Sequence, residues 1–136
     1  MSEVILRGHP IIGGNVEGRA MVSNEPICWL LSVDLNGLVV EKGHSLEGKN
    51  IAGTILVFPT GKGSTAGSYK LYEMGLRGSA PKAIINVQAD TVTISGAVLG
   101  NIPMIHRLEP DPIQAIREGD EVIVDGDKGV VRVIQR

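Results

Sequence analysis

The chain has 136 residues, of which 43% are apolar and 3% aromatic, and its formal net charge is −2. A chain of this length and apolar content can bury its own core, so we expect one domain over residues 1–136 without disulfide bonds. The weakly acidic charge and the absence of a basic run with interleaved aromatics exclude an electrostatic nucleic-acid binder. No stretch approaches 18 consecutive apolar residues and no signal-peptide pattern opens the chain, so we expect a cytoplasmic protein that does not enter a membrane.

The N-terminal part predicts two strands, at residues 4–7 and 17–22, which flank a Gly13-Gly14 turn. We expect them to form an antiparallel pair. Residues 23–53 are less regular and contain two turn signals. This segment is expected to wrap the core or to contact a partner.

The second half of the chain alternates strands with short helices. The apolar patterns predict strands at 54–58, 82–87 and 102–106, with helices at 65–76 and 91–99 between them. Such alternation is typical of right-handed crossovers, and it predicts an α/β fold with a parallel core sheet.

The C-terminal part carries clear local signals. A third, short helix is predicted to be capped by Asp111, to begin at Pro112 and to end at Gly119. Two alternating strands follow, at 121–124 and 130–134, and the Asp-Gly chemistry between them predicts a hairpin. We therefore interpret the aspartates of this turn as turn residues rather than as metal ligands.

Metal ligation on this chain is not supported by its cysteine and histidine pattern. The single cysteine, Cys28, lies in an apolar run and is expected to be a buried structural thiol. The histidines, His9, His44 and His106, are scattered without ligand spacing. We expect no metal site on the chain.

A glycine-rich loop joins the strand at 54–58 to the helix at 65–76. Gly61 and Gly63 are expected to take positive φ and to let the backbone approach a ligand. Ser64 and the hydroxyls that follow it surround the first free N–H groups of the helix, and Lys62 adds a positive charge. This combination predicts an anion-binding site at a helix N-terminus.

Two known phosphate-binding loops do not fit this spacing. A Walker A loop needs Ser or Thr directly after its lysine, whereas Lys62 is followed by Gly63. A Rossmann fingerprint ends in Gly or Ala, which Ala66 satisfies, but no acidic residue lies about 20 positions further on to bind a ribose. Spacing alone leaves open a plain strand-to-helix turn with hydroxyl capping.

A family resemblance adds to this interpretation. The loop at residues 61–68, preceded by 51–59 and by a Gly-Gly-x-x-Glu-Gly-x-Ala pattern at 13–20, resembles the small subunit of the aconitase X family. The likeness extends nearly end to end and includes 79–85 and 101–104. It implies a swivelling β/β/α domain with a mostly parallel core sheet and short flanking helices.

The resemblance implies one half of a two-subunit hydro-lyase. The partner is a large catalytic subunit that carries an iron–sulfur cluster, expected to be 4Fe–4S, while this chain carries no cofactor. The implied reaction removes water from (R)-5-phosphomevalonate to give trans-anhydromevalonate 5-phosphate in a modified mevalonate route to isoprenoids. By its match to the loop serine, Ser64 is implied as the proton acceptor. The remaining loop residues are implied as substrate contacts: Gly61, Lys62, Gly63, Thr65, Gly67 and Ser68.

The chemistry limits what Ser64 can do. A serine hydroxyl is a weak base at neutral pH, so it needs positive potential from Lys62, from the N–H groups after Gly63 and from the helix N-terminus. The same groups could bind a substrate carboxylate or phosphate, and Ser64 could be an ordinary helix cap. We also expect an apolar or glycine-rich partner-binding face around the loop that includes Trp29 and Leu30.

Two alternatives remain. One is an aconitase X enzyme that dehydrates cis-3-hydroxy-L-proline. The other is a phosphohistidine swivel domain, because residues 118–126 resemble the end of such carriers. That carrier needs a histidine in a Gly-x-x-Ser-His-x-Ala context, which the three histidines of this chain lack, so we attribute the likeness to a shared fold.

Overall fold

The computed structural model describes residues 2–136. Within these residues, seven strands follow one another: β1 (Ser2–Ile12), β2 (Asn15–Val22), β3 (Ile55–Phe58), β4 (Ala83–Asn86), β5 (Met104–Glu109), β6 (Glu121–Asp125) and β7 (Val130–Gln135). They close into a barrel in the order β1-β5-β4-β3-β2-β6-β7. Three helices lie between them: α1 (Ala66–Arg77), α2 (Thr91–Gly100) and α3 (Pro112–Ala115). Within residues 2–136, no helix has the length and apolarity needed to cross a membrane.

The barrel is mixed, so the expected α/β class is confirmed but the mostly parallel sheet is not. Only the run β2-β3-β4-β5 pairs in parallel. The β6–β7 hairpin pairs antiparallel with β2 and with β1, and β1 pairs antiparallel with β5. The hairpin therefore turns the parallel layer into a closed barrel.

The predicted antiparallel pair of the two N-terminal strands is wrong, because the β6–β7 hairpin lies between β1 and β2. The turn of this hairpin packs closely on the Gly13-Gly14 turn. The N–H of Gly126 donates to the carbonyl of Gly14 at 2.8 Å, and a Cβ on Gly126 would lie 2.6 Å from that carbonyl oxygen. Glycine at position 126 permits this approach.

The third helix starts as predicted but ends earlier. Asp111 accepts a hydrogen bond from the N–H of Ile113 at 2.9 Å, and Pro112 occupies the first turn. The chain becomes extended at Ile116, whose side chain is buried in the core. Burial of this side chain takes precedence over helix propensity, and Gly119 serves the next turn at φ 85° instead.

Two apolar clusters fill the molecule. One lies inside the barrel and draws on all seven strands. The other lies outside the parallel strands, where α1, α2 and residues 23–53 cover them. The irregular segment contributes six buried side chains to this outer cluster, which confirms that it wraps the core: Ile27, Trp29, Val33, Val39, Leu46 and Ile51. With both faces covered, β3 and β4 are buried throughout.

The parallel strands end together at one edge of the barrel. Phe58, Asn86 and His106 are in register across β3, β4 and β5. Since parallel strands share a carboxyl edge, three connections meet there: the loop after β3, the segment 87–90 after β4, and the outer end of β5. We call this the carboxyl edge.

Candidate functional site

The loop between β3 and α1 is held on both sides by backbone hydrogen bonds. The N–H of Gly61 donates to Oδ1 of Asp90 at 2.8 Å. On the other side, the N–H of Lys62 donates to the carbonyl of Ile27 at 3.0 Å, and the N–H of Ile27 donates to the carbonyl of Thr60 at 3.2 Å. The first half of the loop is therefore fixed between α2 and the segment 23–53.

The two glycines of this loop are needed for different reasons. Gly63 has φ 96°, as predicted, and a Cβ there would lie 2.5 Å from Sγ of Cys28. Gly61 does not adopt positive φ, so the prediction for it is wrong. A Cβ at Gly61 would lie 2.5 Å from Oδ1 of Asp90 and 2.5 Å from Oγ1 of Thr93. Close approach of the Asp90 carboxylate, rather than backbone conformation, requires glycine here.

Ser64 lies at the exposed tip of the loop, immediately before the N-cap of α1. Its Oγ accepts a hydrogen bond from the N–H of Ala66 at 3.2 Å. The preceding N–H groups, those of Gly63, Ser64 and Thr65, donate to no acceptor within residues 2–136. Consecutive free N–H groups at the positive end of a helix are typical of an anion-binding site, and the Ser64 hydroxyl belongs to the same turn.

Lys62 is paired rather than free. Its Nζ lies 3.9 Å from Oε2 of Glu41. The other carboxylate oxygen of Glu41 accepts a hydrogen bond from the hydroxyl of Ser32, and this bond, with the Lys62 charge as a smaller cause, lowers the pKa of Glu41. Lys62 therefore brings less positive potential to the loop than its sequence position indicated.

Two predicted substrate contacts lie beneath the loop surface. Gly67 is buried, and a Cβ there would lie 3.0 Å from Cβ of Trp29 and 3.3 Å from the backbone nitrogen of Leu30. Ser68 is 8% exposed, and its hydroxyl donates to the carbonyl of Thr65 at 2.8 Å. Both residues support the loop in this conformation.

The expected apolar face around the loop is formed by leucines and not by tryptophan. Trp29 is fully buried, and its indole N–H donates to Oγ1 of Thr93 at 2.9 Å. Leu30 is partly exposed and Leu31 is 70% exposed. A shallow cavity of about 310 Å³ lies beside the loop, lined by Cys28, Leu31, Glu41, Lys62 and Gly63.

The donor set does not fit an iron–sulfur cluster. Among residues 2–136, no three His, Cys, Asp or Glu side chains are grouped so as to hold a metal ion. Cys28 is buried, as predicted, and packs against Gly63. The hairpin aspartates serve backbone groups: Asp125 accepts from the N–H of Lys128 and Asp127 from that of Gly14.

Two of the three histidines also have structural partners. His44 accepts from the N–H of Leu46 and contacts the carbonyl of Pro26. His106 accepts from the N–H of Ala89 at 3.0 Å. Burial, with smaller contributions from the charges of Arg107 and His9, lowers the pKa of His106. The neutral imidazole is thus the form that supports the carboxyl edge.

Sequence reasoning missed two side chains that position the loop. Asp90 was not predicted as a site residue, although an aspartate directly before a predicted helix is an N-cap signal. The N-cap signal predicts the hydrogen bond from the N–H of Thr93 to Asp90, but it does not predict the bond from the N–H of Gly61. No local signal marks Glu41, because its proximity to Lys62 depends on how the irregular segment 23–53 folds over the core.

Known proteins resemble this chain over almost its whole length. The family model for the aconitase X swivel domain matches residues 5–133. A protein named phosphomevalonate dehydratase small subunit from Methanocella arvoryzae is 47% identical over 129 residues, which cover 94% of this chain and 98% of that protein. A protein of the same name from Methanosarcina acetivorans is 43% identical over 136 residues, which cover 99% of this chain and 94% of that protein.

A solved structure matches the fold. The crystal structure of Thermococcus kodakaraensis aconitase X in its holo-form superposes with a TM-score of 0.92 at 40% identity, and the match covers 97% of this chain and 99% of that chain. The similarity therefore includes the barrel, the outer helices and the loop-bearing edge together.

Proposed function

The chain belongs to the aconitase X swivel-domain family, and from this premise we propose that it is the small subunit of a phosphomevalonate dehydratase. In this role it acts as a single cytoplasmic swivel domain that completes the active site of a large subunit. The reaction removes water from (R)-5-phosphomevalonate to give trans-anhydromevalonate 5-phosphate. The observation that carries the proposal is the near-complete coverage of relatives that bear this name.

The loop at the carboxyl edge supplies the surface for substrate. Dehydration breaks a C–H bond and a C–O bond and forms a C=C bond, so it needs an acceptor for a proton and an acceptor for hydroxide. The proton lost lies next to a carboxylate. We assign the three free N–H groups at Gly63, Ser64 and Thr65 to that carboxylate, because they form a preorganised site for an anion.

Ser64 is the proposed proton acceptor. Its hydroxyl is exposed and already accepts an N–H bond from Ala66, an arrangement that favours negative charge on Oγ. The positive end of α1 acts in the same direction. Ser68 cannot take this role in the described conformation, because its hydroxyl is buried and directed at a carbonyl.

The hydroxide acceptor belongs to the other half of the enzyme. Residues 2–136 offer no ligand set for an iron–sulfur cluster. We therefore propose that a 4Fe–4S cluster, with most of the substrate pocket, lies on the large subunit. Leu31 and the cavity beside the loop are the proposed contact surface for that subunit.

Co-expression with the large subunit tests the proposal. We expect a complex that converts (R)-5-phosphomevalonate, while this chain alone is colourless and inactive. Turnover of cis-3-hydroxy-L-proline instead would assign the chain to the other aconitase X activity. Failure to form any complex with a cluster-bearing subunit would overturn the two-subunit proposal.

A further inference from the structure

The backbone of β5 contains an unusual residue. Among non-glycine residues 2–136, only Asn101 and Arg107 have positive φ, 54° in each case. Asn101 is the C-cap of α2, where the left-handed conformation is common and asparagine tolerates it. Arg107 lies inside a strand, where a side chain with a Cβ disfavours that conformation. No helix end explains the conformation of Arg107.

A bulge accompanies this conformation. In the pairing of β1 with β5, Arg7 lies opposite Glu109 and His9 lies opposite His106, so β5 holds one additional residue in this interval. Bulges redirect a side chain and often occur beside functional sites. The N–H of Arg107 still donates to the carbonyl of Val87 at 3.1 Å, which keeps the redirected residue at the carboxyl edge.

The position of Arg107 relative to the loop follows from the strand register. Phe58, Asn86 and His106 are aligned, and Pro59, Val87 and Arg107 follow them. The N–H of Val87 donates to the carbonyl of Pro59 at 3.0 Å, which extends the ladder to the start of the loop. Arg107 is thus two strand spacings, about 10 Å, from the first residue of the loop.

The guanidinium group is oriented but not neutralised. Its Nε donates to the side-chain carbonyl of Gln88 at 3.0 Å. Gln88 is itself fixed by its N–H, which donates to the carbonyl of Pro59 at 3.1 Å. Within residues 2–136 the two terminal nitrogens of the exposed Arg107 have no carboxylate or carbonyl partner. An arginine held in this way presents its terminal fork to an oxyanion, and phosphate fits that fork with two parallel hydrogen bonds.

We infer that Arg107 binds the phosphate group of the substrate, at the end remote from Ser64. The inference rests on the proposed function, in which the carboxylate end lies at the loop and the substrate carries a second anionic group at its other end. Lys62 is a poorer candidate because Glu41 already pairs with it. Arg107 would then set specificity, since cis-3-hydroxy-L-proline has no phosphate to bind.

The test uses the complex with the large subunit and the variants Arg107→Gly and Arg107→Asn. Both replacements tolerate the left-handed conformation and remove the charge, so we expect an unchanged or raised melting temperature. We expect KM for (R)-5-phosphomevalonate to rise at least about tenfold with kcat within a factor of about three, as for loss of a binding contact. Inhibition by inorganic phosphate should weaken by a similar factor.

Arg77→Asn provides the matched control, because Arg77 is an exposed arginine in the last turn of α1. Its KM and its inhibition by phosphate should equal the wild-type values. Unchanged KM and phosphate inhibition in Arg107→Gly would overturn the inference, as would loss of complex formation, which would make Arg107 an interface residue. If the wild-type complex does not turn over phosphomevalonate, the proposed function fails separately. Binding of inorganic phosphate to the wild-type and Arg107→Gly complexes, measured by calorimetry, then decides the role of Arg107.

Discussion

The carboxylate of Asp90 joins Gly61 of the loop to helix α2. Its Oδ1 accepts the N–H of Gly61 at 2.8 Å, and its Oδ2 accepts the N–H of Thr93 at 3.0 Å. One side chain therefore caps the helix and fixes the loop. A Cβ at Gly61 would intrude on this carboxylate, so the glycine and the aspartate depend on each other.

Replacement of Asp90 is expected to affect stability and turnover differently. Asp90→Ala removes the cap and leaves the Gly61 N–H without its partner, so we expect a loss of about 1–3 kcal/mol in the free energy of unfolding. Asp90→Asn is a good N-cap but keeps a single acceptor oxygen. We expect it to recover most of the stability while turnover in the complex stays below wild type. Chemical denaturation and steady-state kinetics measure the two effects.

Asp111→Ala is the control, because Asp111 caps α3 and has no hydrogen bond to the loop. It should lower the free energy of unfolding by about 1 kcal/mol and leave turnover unchanged. Wild-type turnover in Asp90→Ala would mean that the bond to Gly61 does not position the loop.

The pair formed by Glu41 and Lys62 predicts a pH dependence of stability. The hydrogen bond from Ser32, and to a smaller extent the Lys62 charge, lower the pKa of Glu41 in the folded state. A lowered carboxyl pKa contributes stability above the unfolded-state pKa of about 4.3, and this contribution is lost as pH falls through the folded-state value. We expect the free energy of unfolding of wild type to exceed that of Glu41→Gln by less than about 1 kcal/mol near neutral pH, because the pair is partly exposed.

Denaturation of both proteins near pH 7 and near pH 3, about one unit below the ordinary glutamate pKa, measures this difference. It should shrink at the lower pH. In the complex, Glu41→Gln frees Lys62 and should lower KM for the anionic substrate without a matching change in kcat. A difference in stability that grows at low pH would contradict the assigned role of Ser32 and Lys62.

Local signals in the sequence located the helices and strands, though not all of their ends, and they did not predict the barrel. The turn chemistry at 125–129 identified the β6–β7 hairpin, and Asp111 with Pro112 identified the start of α3. Insertion of that hairpin between β1 and β2 depends on contacts between distant residues, such as Gly126 with Gly14. Periodicity carries no information about such pairing, and so the antiparallel N-terminal pair was predicted wrongly.

For the candidate site, too, the sequence predicted the local structure but not the contacts between distant residues. The glycine-rich pattern located the loop, and the helix start located its free N–H groups. The environment of the loop was not accessible: Trp29 is buried against Thr93, and Glu41 reaches Lys62 from an irregular segment. The left-handed conformation of Arg107 has no composition signal, because arginine is not a residue that favours it.

The exposed Leu31 provides a test of the proposed contact with the large subunit. It is 70% exposed and lines the cavity beside the loop. Leu31→Asp would bury an unpaired charge in that interface, so we expect at least about a tenfold weaker association. The isolated chain should keep its melting temperature, because the side chain is exposed before assembly. Size-exclusion chromatography with titration calorimetry measures the association.

Leu76→Asp is a closely matched control, since Leu76 is 71% exposed but lies at the opposite end of α1 from the loop. It should assemble as wild type does. Equal affinity of the large subunit for Leu31→Asp and wild type would remove Leu31 from the contact surface.

Replacements of Ser64 separate a proton acceptor from a helix-capping residue. Ser64→Ala removes both the hydroxyl and the acceptor for the N–H of Ala66, whereas Ser64→Asn and Ser64→Asp keep an acceptor. Loss of this exposed hydrogen bond should lower the free energy of unfolding of Ser64→Ala by about 1 kcal/mol. The other two variants should recover part of that stability. If Ser64 accepts the proton, Ser64→Ala and Ser64→Asn should assemble and bind substrate within about tenfold of wild type, yet lose at least ~100-fold in kcat. Ser64→Asp places a second anion beside the N–H groups assigned to the substrate carboxylate, so it should also weaken substrate binding.

Ser68→Ala is the control for the Ser64 series, because Ser68 lies one helical turn further along and its buried hydroxyl donates to the carbonyl of Thr65. It should lose about 1 kcal/mol of stability and little of its rate, since that bond supports the loop without reaching substrate. The decisive comparison is kcat of Ser64→Asn with that of Ser68→Ala in the reconstituted complex. A rate for Ser64→Asn close to wild type would make Ser64 a capping residue, and the proton acceptor would then have to lie on the large subunit.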